Sequence, residues 1–167
     1  MLSRSSEYAI RALTFLAQHE RDGHHYLARD MAEQLGIPAP FLGKVLQPLV
    51  TRGILHSQRG RSGGFRLDRP AAQILLVQIV EAEENLAPAN VCLLGQHKCD
   101  EANACPLHEM WMKTANGFHE KLRGTSLQDL IEYRASHPGC TYPFQFKGMQ
   151  VPMPSFPSAR DERAVSA

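Results

Sequence analysis

Apolar residues recur at helical spacing from Ser5 to Ala17, where Tyr8, Ala9, Ala12, Leu13, Phe15 and Leu16 predict a first helix with Ser5 or Ser6 as its N-cap. His24-His25-Tyr26 reads as a connector. Leu27 to Leu35 predicts a second, short helix with Leu27, Met31, Ala32 and Leu35 on one face. Gly36 ends it, because a residue without a Cβ enters the left-handed conformation without steric cost. After Gly36-Ile37-Pro38-Ala39-Pro40, a third helix is expected from Pro40 to Arg52, with Phe41, Leu42, Val45, Leu46, Leu49 and Val50 on its apolar face. Proline suits a first helical turn, whose N–H groups have no intrahelical partner. Pro48 is an irregularity able to bend this helix, and Gly53 stops it.

Two short helices joined by a tight glycine-containing turn form a helix-turn-helix pattern, a signal of moderate specificity by itself. The next segment sharpens it. Ile54 to Ser57 reads as a strand, Gly60-Arg61-Ser62-Gly63-Gly64 as a tight loop, and Phe65-Arg66-Leu67 as the returning strand. A basic hairpin directly after such a helix pair is a wing, whose glycines allow the backbone to approach phosphates. Beyond it, Ile74 to Glu83 predicts a helix behind the wing, and Leu86 to Ala104 a cysteine-bearing loop. Cys105 to Leu122 predicts a helix with Leu107, Met110, Trp111, Thr114, Phe118 and Leu122 along one stripe, the mark of a core or a subunit interface. Leu127 to Ala135 predicts a short terminal helix, and the proline-bearing tract beyond it has little periodicity. The fold class expected is mainly α with a small β wing.

Charge changes the picture only when it is divided along the chain. The net formal charge is +1, yet Pro40 to Pro70 carries six cations (Lys44, Arg52, Arg59, Arg61, Arg66, Arg69) against Asp68 alone. A basic segment inside an otherwise slightly acidic chain points to a polyanion as partner. No run approaches the about 20 apolar residues that span a bilayer. The amino terminus enters an amphipathic pattern without a leader-like apolar stretch, so a cytoplasmic location without membrane contact is expected.

Cys92, Cys99 and Cys105 are spaced C-x6-C-x5-C, and His108 follows as C-x2-H. In a reducing compartment three close cysteines point away from structural disulfides and toward thiolate ligation. Zinc knuckles use shorter gaps, so the spacing puts an iron–sulfur cluster ahead of zinc. Free thiols remain the alternative, and Cys140 lies far from the group.

These residues resemble the bacterial winged-helix regulators of the IscR and NsrR type. The likeness runs through Glu7-Tyr8-Ala9-Ile10-Arg11-Ala12-Leu13, Leu27 to Ala32, Ile37 to Leu49, Gly53-Ile54-Leu55, Arg59 to Phe65, and the cysteine loop with His108. It covers roughly residues 1–135. It implies a homodimer built on the long helix after the loop, two heads on successive major grooves of double-stranded DNA, and Cys92, Cys99 and Cys105 as cluster ligands. Two departures matter: the first cysteine gap is one residue longer than in those patterns, and Gly43 stands where IscR presents an acidic residue. The fourth ligand stays open between His108 and Glu7, the latter donated from the partner subunit.

The domain division expected is a winged helix-turn-helix head over 1–85, a cluster-binding loop over 86–108, a dimerisation helix and short terminal helix over 105–135, and a disordered tail over 136–167. The function expected is a DNA-binding regulator, not an enzyme, sensing redox state, iron, nitric oxide or cluster supply through a 2Fe–2S or 4Fe–4S cluster. Tyr26, Arg29, Pro40, Phe41, Lys44 and Gln47 are the residues expected at the groove, Lys44 and Gln47 foremost at base edges, with Arg59 and Arg61 anchoring the wing. Two alternatives stand beside it: a metal-free repressor with a cysteine switch, and an electron-carrying cluster module, which has no use for a basic wing.

Overall fold

The computed structural model describes residues 2–20, 24–60, 63–84, 92–95 and 99–137. The disordered tail expected over 136–167 begins too early, since Ser136 ends a helix and His137 caps it; its remainder from 138 on, with Cys140, and Arg61 lie outside the described residues. Among the described residues, six α-helices, two 3-10 turns (Ala71–Gln73 and Glu101–Asn103) and one two-stranded antiparallel sheet occur, the main elements in the order α1 (Arg4–Gln18), α2 (Ala28–Leu35), α3 (Ala39–Thr51), β1 (Leu55–Gln58), β2 (Gly64–Leu67), α4 (Leu76–Glu83), α5 (His108–Arg123) and α6 (Leu127–Ser136). This is a mainly α fold with a small β wing.

Helix α1 begins earlier than its apolar spacing suggests. Ser3 is the N-cap, its hydroxyl accepting from the Ser6 N–H. Ser5 and Ser6 lie inside the helix, and Ser6 is fully buried. One face of α1 carries Ala9, Leu13 and Leu16 into a core shared with Met31 and Leu35 of α2, Leu42, Leu46 and Leu49 of α3, and Ile79 and Val80 of α4. Gly36 closes α2 at φ 63°, in the left-handed region. Pro48 sits inside α3, where its missing N–H leaves the Lys44 carbonyl without that helical donor.

The hairpin pairs Leu55 with Leu67, His56 with Arg66, Ser57 with Phe65 and Gln58 with Gly64. Leu55 and Leu67 face the core. The stretch before α2 does more than connect: Tyr26 and Phe65 exchange both backbone hydrogen bonds at 2.9 Å, adding a one-residue third strand to the sheet. The wing is thereby fastened to the start of the helix-turn-helix.

Helix α5 starts at His108 rather than Cys105, and only Ala115, His119 and Leu122 are buried along it. It packs on α4. The chain then turns at Gly124, and α6 begins with a capping box in which Ser126 and Asp129 satisfy each other's backbone N–H groups. The Leu127 N–H donates to the Ile74 carbonyl and the Leu76 N–H to the Thr125 carbonyl, at 2.8 and 2.9 Å, which returns α6 to the core beside α1.

Candidate nucleic-acid interface and cysteine loop

The geometry of α3 sorts its residues cleanly. Leu42, Val45, Leu46 and Leu49 are buried, while Pro40, Phe41, Lys44 and Gln47 are exposed. The helix-turn-helix therefore presents an aromatic ring, an amine and an amide on the side turned away from the core. Phe41 is held in place by neighbours. Its ring meets Tyr8 edge-on, with centroids 5.5 Å apart. The Arg11 guanidinium lies 5.7 Å over the other ring, and its Nη2 donates to the Leu35 carbonyl at 2.5 Å.

Other expected groove residues divide. Arg29 is exposed and forms an ion pair with Asp30 at 3.5 Å, which in water contributes little to stability. Arg59 is exposed at the end of the wing strand. The Tyr26 hydroxyl donates to the His19 carbonyl at 2.6 Å at the surface, and its ring packs edge-on against Phe15. It is a brace of the wing as well as a candidate contact. Sequence reasoning missed one close approach here: His25 Nε2 lies 3.1 Å from His56 Nδ1, across the strand that carries Arg66. The signal was present only as three histidines near the wing, since strand register decides which of them meet.

In the loop, Cys92 is buried, while Cys99, Cys105 and His108 are half-buried. Cys99 Sγ lies 3.2 Å from His108 Nδ1. Cys99 also hydrogen-bonds the Cys92 thiol; desolvation, Cys92, Cys105 and the Asp100 carboxylate all push its pKa upward. The His108 N–H donates to the Cys105 carbonyl at 2.9 Å, which seats the imidazole at the first residue of α5. The three spaced cysteines and the histidine thus lie in one neighbourhood. Among the described residues, no group of three or more His, Cys, Asp or Glu side chains is packed closely enough to hold a single metal ion. Glu7 lies elsewhere, in the first turn of α1, with its N–H bonded to the Ser3 carbonyl.

The loop is tied to the head by a contact that motif reading did not find. At the end of α4, Glu84 Oε1 accepts from the Ser3 N–H at 3.0 Å and from the Ser6 hydroxyl at 2.5 Å. Burial raises the Glu84 pKa, but the Ser6 and Ser3 hydrogen bonds outweigh it and hold the carboxyl below its ordinary range. The chain that leads to Cys92 therefore departs from a point fastened to the start of α1. No described helix is long and apolar enough to cross a membrane.

Comparison with known proteins agrees with this arrangement. Residues 2–133 match the family model Rrf2, described as an iron-dependent transcriptional regulator. The chain is 35% identical over 136 residues to the protein aau3 of Rhizobium meliloti, covering 80% of this chain and 86% of that one. It is 28% identical over 131 residues to the HTH-type transcriptional regulator IscR of Xenorhabdus nematophila, covering 78% and 79%. Among solved structures it superposes on CymR, the global cysteine regulator of B. subtilis, with a TM-score of 0.66 at 22% identity over 80% of this chain and 97% of the other. A winged helix-turn-helix with a basic wing, matched by this model over most of its length, belongs to the Rrf2 family of transcription regulators.

Proposed function

We propose that this regulator binds a two-fold DNA site as a homodimer and senses its signal through an iron–sulfur cluster held by Cys92, Cys99 and Cys105. The observation that carries this reading is the convergence of those thiols with His108, whose Nδ1 stands 3.2 Å from Cys99 Sγ. The donor set fits: three sulfurs and an imidazole are ligands that iron takes. Among the described residues they form no group able to hold a single ion, so the fit rests on the chemistry of the donors and their sequence spacing. His108 is the fourth ligand in this reading because it is local; Glu7 of the partner subunit is the competing donor. When bound, such a group supplies a charge and ligation state that changes with oxidant, iron supply or nitric oxide.

The protein's own part is mechanical. Cys92 follows α4, whose terminal Glu84 grips Ser3 and Ser6 of α1. Helix α1 packs against α3, the helix that enters the groove. Rearrangement of the loop would shift the population of head positions through that chain of contacts. The second subunit would cover α5, where Met110 and Phe118, with Leu107 just before the helix, are exposed large apolar side chains. In this reading Arg59 and Arg61 anchor the wing on phosphates, Arg29 adds a further cation, and Pro40, Phe41, Lys44 and Gln47 face bases, with Tyr26 at the hinge between wing and helices.

A second reading has its own support. Hydrogen-bonded thiols at Cys92 and Cys99, with no ion-sized site among the described residues, suit a cysteine switch without metal. Anaerobic purification with iron and acid-labile sulfide analysis separates the two. Stoichiometric iron and sulfide, lost in each of Cys92→Ser, Cys99→Ser and Cys105→Ser, is the expected result. Zinc without sulfide, or metal-free protein after reconstitution, overturns the cluster.

A further inference from the structure

We propose that Phe41 reads the C5 methyl of a thymine, so that each half-site of the operator carries a thymine at one fixed position. This rests on the reading of α3 as the helix that enters the major groove. The residues at the start of such a helix are the ones that meet base edges, and Phe41 lies in the first turn of α3.

Phe41 is 39% exposed, although it is the largest apolar side chain of α3. The core does not need it: Leu42, Val45, Leu46 and Leu49 already carry the burial of the helix. Its ring is nevertheless fixed, packed edge-on against Tyr8, with Arg11 over the Tyr8 ring and bonded to the end of α2. Three elements therefore hold an apolar surface toward solvent at the groove side, and a ring fixed beforehand loses little freedom on binding.

The chemistry narrows the target. A phenyl ring donates no hydrogen bond and gains nothing from a phosphate oxygen. Among the groups that the four base pairs show in the major groove, the thymine methyl is the apolar one. Lys44, one turn further along the exposed side, supplies the polar counterpart, suited to the O6 and N7 acceptors of a guanine.

The test uses the full chain, purified anaerobically, and a site selected from a random duplex library. Each thymine of that site is then replaced singly by deoxyuridine, which removes the methyl and leaves every hydrogen-bonding group. Burial of one methyl sets the expected loss at about fourfold per half-site, and about fifteenfold when both symmetric positions are replaced. Phe41→Ala should bind the thymine site more weakly and respond to neither replacement, Phe41→Leu should keep the response, and Lys44→Ala should leave the ratio unchanged. Wild-type protein indifferent to deoxyuridine at every position overturns the inference, whatever the variants do, as does discrimination that persists in Phe41→Ala. Failure to bind any duplex is a different result and overturns the DNA reading beneath it.

Discussion

A Cβ on Gly64 would stand 2.5 Å from the Tyr26 carbonyl oxygen, and its φ of 137° is closed to side chains in any case. Gly64→Ala should therefore push the Tyr26 strand off the wing and cost roughly 2–3 kcal/mol, measured by urea unfolding. Glu83 offers a second residue-scale test. Desolvation first, and then the charge of Glu84, push its pKa up to about 7, and its Oε1 is shielded without a hydrogen-bond partner among the described residues. A carboxyl raised in this way holds a proton in the folded state that the unfolded chain gives up. Stability should fall as pH rises from the ordinary carboxylate range through about 7, with the full penalty present above it. Glu83→Gln mimics the neutral acid, so it should raise Tm near pH 8 and change little near pH 5. An equal change at both values would mean that the ionised carboxyl is not the cause.

The elements divide the work of binding. The wing presents Arg59 beyond a hairpin that is closed by backbone pairing, whereas α3 presents Lys44 and Gln47 on a rigid cylinder. Phosphate contacts position the protein without reading sequence, and contacts to base edges read it. Arg59→Ala should thus weaken binding to all duplexes alike and reduce the salt slope by about one. Lys44→Ala should cost roughly 1–3 kcal/mol at one base pair and relax preference there. Competition titrations against single-base operator variants distinguish these outcomes, and a wing variant that altered base preference would reverse the assignment.

At the scale of the whole molecule, α5 leaves large apolar side chains uncovered by the described residues. It buries Ala115, His119 and Leu122 against the head and leaves Met110 and Phe118 exposed at 52% and 41%. If a second copy covers that face, Met110→Glu with Phe118→Glu should give a monomer by light scattering. The melting of the head should stay near its original temperature. Affinity for a two-fold site should fall by orders of magnitude, because the second head then binds independently rather than at high effective concentration. A dimer that survives both charges places the interface elsewhere.

The sequence by itself was enough for the helices of the head, because Leu13, Met31, Leu35, Leu42 and Leu46 follow a helical period that only a one-sided core explains. It also carried the wing, whose glycine-rich loop lies between two short strands, and the grouping of three cysteines with a histidine. Boundaries were less legible: Ser3 takes the cap that Ser5 or Ser6 was expected to hold, and Ser6 lies inside the helix, buried and donating to Glu84. Contacts between segments distant in sequence were decided by tertiary structure alone. The pairing of Tyr26 with Phe65, the approach of His25 to His56 and the grip of Glu84 on α1 each join residues 31 or more positions apart. No local period encodes such a pairing. Each depends on how the core sets the angle between elements, and that angle is fixed only when all the apolar faces pack at once.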